Sequence, residues 1–405
     1  MKQTASISER LAFALLALTL VATPAVAEKK YGPGATDTEI KIGQTMPYSG
    51  PASLYSTTGK AMAAYFDKVN AEGGVNGRKI KLISLDDSYS PPKTIEQTRR
   101  LVEQEEVLLI FGTVGTAVNT SIHKYLNTKK VPQLLISSIG MKWNDPQNFP
   151  WTIAFQPNQA VEGGAFAKYL LKNYPNAKIA ILYQNDDFGG GYVQPVKAAL
   201  GARAGMMIVA EASYEVTDPS VDSQVVSLQA SGADTLLIFA SPKFAAMAIR
   251  KAYDMGWKPH ELVTQASASV ASVLQPAGLE KSVGVISSSF LKDPTDAQWT
   301  DDTGKKEWLA WMKRYYPSGS PAEVYNVVGY IEAQALVEIL KRCGDDLTRE
   351  NVMRQATSLK SLELPMLLPG IRITTSPTDY RIIRQVQLMR FDGKQWVLFG
   401  DVIGE

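Results

Sequence analysis

Cysteine and histidine are scarce in this sequence, and their scarcity excludes several kinds of active site. Cys343 is the only cysteine, so the chain cannot form an internal disulfide. The two histidines, His123 and His260, lie far apart, which argues against a metal centre built on imidazole. The sequence also lacks a Gly-x-Ser-x-Gly elbow and a His-Glu-x-x-His helix. We therefore expect a protein that is not an enzyme and that holds neither a metal ion nor a cofactor.

Excess charge and long apolar runs are also missing. The chain has 42 Lys plus Arg against 40 Asp plus Glu, and the basic residues do not gather into a stripe. A nucleic-acid-binding protein usually carries such a basic footprint, so we expect no nucleic-acid partner. Beyond residue 27, no apolar run approaches the ~20 residues that a membrane span needs.

What the sequence does contain begins with an export signal. Lys2 and Arg10 flank a short polar start, residues 11–21 are apolar, and small residues follow in the A-x-A spacing of Ala25 and Ala27. This order is typical of a secretory signal peptide. We predict a signal peptide over residues 1–27 and an exported, soluble mature protein.

Strands and helices alternate along the rest of the chain. Apolar runs predict strands at residues 39–46, 79–85, 107–111, 132–137, 178–183, 206–210 and 234–239, with short strands at Leu262 and Val283. Amphipathic segments predict helices at 57–70, 92–104, 117–127, 159–173, 191–200, 221–230 and 244–255, and three more between residues 303 and 358. A hairpin with an Asp-Gly turn is predicted at 386–399. This order predicts two α/β lobes in tandem, with a ligand cleft at the carboxyl ends of their strands.

One loop at that edge carries groups suited to an anion. Gly112, Thr113, Gly115 and Thr116 join a predicted strand to a predicted helix, but no Gly-Lys-Ser/Thr follows, so the loop is not a P-loop. Free backbone N–H groups and the helix dipole favour an anion at such a place, and a carboxylate fits as well as a phosphate. The alternative is that Thr116 only caps its own helix.

Aromatic and acidic side chains fall in the other loops of the cleft. Tyr48, Tyr55, Phe188 and Tyr325 lie there or at a helix start, and aromatic walls with a few polar groups describe a small-molecule pocket. Asp186 and Asp187 end a predicted strand, where carboxylates more often cap the next helix than act as acid or base. His123, in the middle of a predicted helix, is interpreted as a surface residue.

Three segments together resemble a known family. Residues 45–55 (TMPYSGPASLY), residues 69–78 (VNAEGGVNGR) and the Gly112 loop are similar to those of the leucine-binding-protein family, the type I periplasmic receptors of ABC importers for branched-chain amino acids. The resemblance implies a two-lobed α/β fold in which each lobe is a mainly parallel sheet flanked by helices and a three-strand hinge joins the lobes. It places residues 38–155 with 290–374 in the N-terminal lobe and residues 156–289 with 375–405 in the C-terminal lobe. It also implies a monomer in the periplasm that delivers a small ligand to the permease subunits of an importer.

The resemblance also implies ligand contacts. Tyr55 matches an aromatic wall, Thr116 the hydroxyl that binds the ligand carboxylate, and Ser138, Ile139, Gly140 and Met141 the loop that holds the head group. Phe188 matches a tyrosine of the second lobe, and Tyr325 an aromatic residue that faces the ligand side chain. With Thr113 and Ser267, these residues form the predicted site.

Two departures from the family bear on the ligand. Met141 stands where amino-acid binders have threonine, and Ser267 is the nearest match to the glutamate that pairs with the ligand ammonium. Because a buried ammonium without a counter-charge is costly, we predict a hydrophobic or aromatic carboxylic acid without an amine. An amino-acid ligand would need Asp145, Asp186 or Asp187 instead. An amide-type sensor and a secreted hydrolase are the alternatives of other classes.

Overall fold

The computed structural model describes residues 29–404. The predicted signal peptide, residues 1–27, lies outside them. The strands are β1 (Lys30–Tyr31), β2 (Glu39–Met46), β3 (Lys79–Asp86), β4 (Leu109–Phe111), β5 (Gln133–Ile136), β6 (Thr152–Ala154), β7 (Ile179–Gln184), β8 (Ile208–Tyr214), β9 (Thr235–Phe239), β10 (His260–Val263), β11 (Ile286–Ser289), β12 (Asp346–Leu347), β13 (Gln385–Phe391) and β14 (Trp396–Gly404). The helices are α1 (Ser56–Ala71), α2 (Pro91–Glu103), α3 (Thr116–Thr128), α4 (Gln159–Asn173), α5 (Val193–Leu200), α6 (Ala204–Met207), α7 (Asp222–Ala230), α8 (Pro242–Asp254), α9 (Gln275–Ala277), α10 (Thr303–Tyr315), α11 (Val324–Cys343) and α12 (Arg349–Ala356). Within residues 29–404, no helix combines the length and apolar character needed to cross a membrane.

The first large sheet is parallel and covered on both faces. Its strand order is β3-β2-β4-β5-β6, and every neighbouring pair is parallel. Side chains alternate across a strand, so in β4 Ile110 packs with α2 and α3 while Leu109 and Phe111 pack with α1 and α11. This double coverage explains why β4 and β5 read as continuous apolar runs.

Helix α11 completes the core of the first lobe although it lies far along the chain. It packs closely against α1, and a Cβ on Gly329 would lie 2.3 Å from the carbonyl oxygen of Thr58. Only glycine permits this approach. Val327, Ile331 and Leu336 of α11 are buried in the same core as Phe66 of α1.

The second large sheet repeats the plan and adds a hairpin. Its order is β14-β13-β11-β10-β9-β7-β8, in which the five strands from β7 to β11 are parallel to one another, whereas β13 runs antiparallel to both β11 and β14. Helices α4 and α5 cover one face, and α7 and α8 cover the other. The turn between β13 and β14 runs from Asp392 to Gln395, so it is longer than a two-residue Asp-Gly turn.

One predicted strand is misplaced. The sequence predicts a short strand at Val283, but Val283 is 58% exposed and the strand begins at Ile286. Gly284, with φ of 92°, turns the chain between them. Its positive φ is incompatible with an extended strand at this point.

The chain passes between the two sheets three times: after β6, after β11, and before β13. The second passage is pinned by an antiparallel bridge between Leu291 and Leu367. A cavity opens between the lobes beside these passages.

Candidate functional site

A cavity of about 70 Å³ lies between the lobes. The cavity takes walls from both lobes: the start of α3 and the loop after β5 on one side, and the loop after β10 on the other. No Lys, Arg or His side chain is among the lining residues that the structure describes. Any ligand must therefore be recognised without help from a positively charged side chain of the described lining.

A chain of three hydrogen-bonding side chains leads to one end of the cavity, where Thr116 and Ser138 line it. The Trp143 Nε1–H donates to Ser138 Oγ at 2.9 Å, and the hydroxyls of Ser138 and Thr116 lie 2.9 Å apart. Two hydroxyls carry two protons, and only one proton is used in the bond between them. The other proton remains available to an acceptor in the cavity.

The backbone at this end also favours an acceptor. Thr116 is the first residue of α3, so the helix presents unpaired N–H groups and the positive end of its dipole there. Gly115 has φ of 108°, and a Cβ on it would lie 2.3 Å from the Tyr89 ring. Glycine therefore lets the Tyr89 ring close against the start of the helix.

Two tyrosines join the lobes over the cavity. The hydroxyls of Tyr55 and Tyr325 both donate to the carbonyl oxygen of Ala266, at 3.0 and 2.8 Å. Their rings meet edge to face with centroids 5.2 Å apart. Tyr55 precedes α1 and Tyr325 lies in the first turn of α11, whereas Ala266 follows β10 of the other lobe. We call Tyr55, Tyr325 and Ala266 the tyrosine clamp. It holds the lobes closed.

The structure brings six of the predicted site residues to the cavity and places four elsewhere. The lining residues are Tyr55, Thr116, Ser138, Ile139, Phe188 and Tyr325. Thr113 is buried behind the wall, with its hydroxyl 3.3 Å from that of Thr45. Ser267 is also fully buried, and its hydroxyl donates to the carbonyl of Ala240 at 2.6 Å. Gly140 and Met141 line a separate groove at the rim, where Met141 is 47% exposed.

The three acids considered as ammonium partners are engaged elsewhere. Asp186 accepts from the backbone of Phe188 and Gly189 and from Gln184 Nε2. Asp145 caps its own turn through Asn148. Asp187 pairs with Lys142, with a distance of 2.7 Å between Nζ and Oδ2.

The Asp187 ion pair crosses the cleft at its rim. Asp187 follows β7 of the second lobe, and it accepts from both Lys142 and Thr120 of the first lobe. Both partners of the ion pair are about 40% exposed: 40% for Lys142 and 43% for Asp187. Lys142 lowers the pKa of Asp187, although partial burial opposes this effect. The rim therefore adds an exposed, electrostatic contact to the buried tyrosine clamp.

His123 is buried, so its interpretation as a surface residue was wrong. It is only 5% exposed, its ring stacks on Phe149 at 3.9 Å, and it meets the edge of Trp143 at 5.1 Å. Its Nε2 has no hydrogen-bond partner in the described chain. Burial lowers its pKa to about 4, and the nearby Lys142 ammonium adds to this effect. His123 thus supports Trp143, the first donor of the chain that leads to Thr116.

The structure also shows cavity residues that the sequence analysis missed. Tyr89 and Phe290 add aromatic surface, Gln265 lines the second lobe, and Asp293 is the only Asp or Glu among the lining residues described. The Nε2 of Gln265 has no partner in the described chain. Burial raises the pKa of Asp293 to about 6. Tyr89 follows the carboxyl end of β3, so the rule used for the other loops would have found it.

Comparisons with known proteins agree with this architecture. The profile of the family described as "Periplasmic binding protein" matches residues 39–395. The Leu/Ile/Val-binding protein homolog 7 of Brucella abortus (strain 2308) is 24% identical over 332 residues, which cover 78% of this chain and 80% of that protein.

Solved structures share the fold. A branched-chain amino acid ABC transporter protein from Thermus thermophilus with bound valine superposes with a TM-score of 0.83 at 15% identity, covering 92% of this chain and 98% of that one. A fatty acid ABC transporter substrate-binding protein from Thermomonospora curvata gives a TM-score of 0.76 at 21% identity, covering 93% and 95%. At these identities, the likeness supports the fold alone.

Proposed function

The chain belongs to the periplasmic binding protein family, and from this membership we propose that it captures a small carboxylic acid in the periplasm for an ABC importer. Its fold is the predicted two-lobed type I fold, and the family's members are solute-binding proteins rather than enzymes. We assign residues 38–155 with 290–374 to the N-terminal lobe and residues 156–289 with 375–405 to the C-terminal lobe. The proposal places the permease subunits in the membrane and treats the receptor as a monomer.

The observation that carries the proposed ligand class is the hydroxyl pair at the start of α3. Thr116 and Ser138 offer a free proton beside unpaired backbone N–H groups, and Trp143 fixes their orientation. A carboxylate takes up such donors without a lysine or arginine. The aromatic walls of Tyr89, Phe188 and Phe290 suit a hydrophobic or aryl body.

None of the three acids considered as ammonium partners is free to pair with an α-ammonium beside that carboxylate. Asp145, Asp186 and Asp187 are all engaged, and the loop after β10 offers Gln265 and Ser267 rather than an acid. Desolvation of an unpaired ammonium in a closed cleft costs several kcal/mol. The proposal therefore favours an acid without an α-amine.

Calorimetry on matched ligand pairs tests this proposal. We expect 3-phenylpropanoate to bind at least about tenfold more tightly than phenylalanine, a gap of ~1.4 kcal/mol, and 4-methylpentanoate to exceed leucine in the same way. Tighter binding of either amino acid would contradict the ligand class.

An amino acid remains the second candidate. The Brucella relative carries a Leu/Ile/Val-binding name, and the Thermus structure holds valine. The same calorimetry decides between the candidates.

The importer role has its own test. Deletion of the gene should abolish uptake of the labelled ligand by intact cells. The predicted signal peptide is tested by mass spectrometry of the exported protein, which should find Glu28 at its N-terminus.

A further inference from the structure

One carboxyl group in the cavity lacks a partner of opposite charge. Asp293 lines the cavity and is 7% exposed. Within residues 29–404, the hydrogen bonds to its carboxyl both reach Oδ1, from the N–H of Thr295 at 2.8 Å and from its hydroxyl at 2.5 Å. No lysine or arginine of the described chain forms an ion pair with it. Oδ2 therefore has no hydrogen-bond partner in the described chain, and Asp293 lies in the cavity wall.

The surroundings of Asp293 are unfavourable to its charge. Burial is the main cause of its raised pKa, and the nearby carboxyls of Asp296 and Glu323 raise it further. The adjacent Lys292 does not compensate, because its ammonium pairs with Asp302 at 2.6 Å. A buried carboxyl in this situation gains from any donor that a ligand brings.

The backbone holds Asp293 in place. It follows β11 on the second passage between the lobes, where Leu291 bridges to Leu367 and the Lys292 N–H donates to the Met366 carbonyl. Thr295 fixes the side chain from the other direction. An acceptor that is fixed before the ligand arrives loses little conformational entropy on binding.

We infer that Asp293 determines specificity by accepting a hydrogen bond from a donor group, hydroxyl or ammonium, carried on the ligand body. This inference rests on the proposed function, because the ligand is anchored by its carboxylate at Thr116 and Ser138. The ligand class is then an acid with a donor substituent, and an aromatic body fits the walls formed by Tyr89, Phe188 and Phe290.

Three acids that differ in one group test the inference by calorimetry on the purified mature chain. They are 3-phenylpropanoate, 3-(4-hydroxyphenyl)propanoate and 3-[4-(aminomethyl)phenyl]propanoate. We expect at least one donor-bearing acid to bind about tenfold or more tightly than 3-phenylpropanoate, since a hydrogen bond to a charged group supports a difference of this size. The second and third acids distinguish a hydroxyl donor from an ammonium donor.

Asp293→Asn should remove this preference. Both donors of Thr295 fix the amide oxygen where Oδ1 lies, so the amide NH₂ would face the cavity and meet the ligand donor with another donor. Binding of 3-phenylpropanoate should stay within about threefold, since that acid makes no bond to Oδ2. Asp296→Asn is the matched control, because Asp296 is also buried but caps the turn at Gln298 and does not line the cavity. It should keep the preference.

Each other outcome overturns a specific statement. Equal affinity for the three acids, or a preference that survives Asp293→Asn, overturns the role of Asp293 and leaves the proposed function standing. Failure of all three acids to bind overturns this inference, and if 4-methylpentanoate also fails to bind, the proposed ligand class is overturned with it. If Asp293→Asn does not fold, as judged by its thermal unfolding, the comparison of the three acids on the unaltered chain still decides.

Discussion

Thr116 is the residue on which the proposed carboxylate site depends most directly. Its hydroxyl bonds to that of Ser138 and lines the cavity, and it does not cap α3, whose N-cap residue is Gly115. We expect Thr116→Ala to weaken acid binding by roughly 1–2 kcal/mol, the size of a hydrogen bond to a charged group. The unfolding midpoint without ligand should shift little. Titration calorimetry and a thermal melt measure the two effects.

Thr113→Ala is the matched control for that change. Thr113 comes from the same loop and is equally buried, but its hydroxyl meets Thr45 behind the wall. Its loss should lower stability and leave affinity nearly unchanged. The reverse pattern in the two variants would show that Thr116 is structural and that the acceptor binds elsewhere.

His123 gives the protein an acid-sensitive point beneath the same site. Because its folded pKa of about 4 lies below the usual histidine pKa of ~6.5, the unfolded chain binds more protons between these values. The stability that neutral His123 provides is complete above pH ~6.5 and is lost as pH falls towards 4. Relative to His123→Phe, the natural chain should lose about 2 kcal/mol of unfolding free energy between pH 7 and pH 4.5.

Urea unfolding of both chains at the two pH values measures that loss. Asp87 and Asp293, whose raised pKa values act in the opposite direction, contribute equally to both chains and cancel in the comparison. If the difference in unfolding free energy between the two chains does not change with pH, His123 is exposed to solvent in the folded protein.

At the scale of single residues, the sequence does not predict in which direction a side chain points. Thr113 and Thr116 share one loop, yet only Thr116 lines the cavity, because the strand end turns the hydroxyl of Thr113 towards Thr45. Ser267 is the nearest match to the family's glutamate, but its hydroxyl donates to the carbonyl of Ala240 and does not line the cavity. Asp293 could not be found from sequence, because it lies on a passage between lobes and not at a predicted strand-to-helix loop.

At the scale of elements, the tyrosine clamp ties the starts of α1 and α11 to the loop after β10. These bonds form only when the lobes are closed, so they stabilise the bound state. We expect Tyr325→Phe to raise the ligand dissociation rate by roughly five- to tenfold, consistent with the loss of about 1 kcal/mol. Stopped-flow displacement of a bound acid measures this rate.

Tyr48→Phe controls for the loss of a phenol as such. The Tyr48 hydroxyl lies 2.7 Å from that of Ser84, within the first lobe, and does not cross the cleft. The ligand should dissociate from the Tyr48→Phe variant at the same rate as from the natural chain. Equal acceleration in both variants would argue against a clamp.

Elements with strong periodicity are the ones that the sequence predicts well. The predicted helix at 159–173 has the bounds of α4, because Asn158 caps its first turn through Ala160 and Val161. The predicted strand at 206–210 instead begins at Ile208, since α6 takes up residues 204–207. A helix of a single turn is too short for its hydrophobic periodicity to be recognised in the sequence. The antiparallel pairing of β13 with β11 could not be predicted from the sequence either, because strand pairing across a sheet depends on the folded chain.

At the scale of the molecule, closure also involves the rim ion pair. Lys142 and Asp187 are too exposed to contribute more than about 1 kcal/mol, and salt screens them. We expect Asp187→Asn to weaken acid binding by up to about fivefold at low salt and by less than about twofold at 0.5 M salt. Affinity measured across a salt series tests this. A loss that persists at high salt would mean that Asp187 acts through its bond to Thr120.

The placement of α11 has a consequence for how this protein is made. All strands of the first sheet leave the ribosome before the second lobe, but the helix that buries the α1 face of the sheet, with Gly329 against Thr58, emerges only after β11. Until then the nascent first lobe exposes the apolar side chains of α1 and β4 to solvent. We therefore expect the first lobe to complete its core only after α11 has been synthesised. That delay suits a protein that we expect to cross a membrane before it folds.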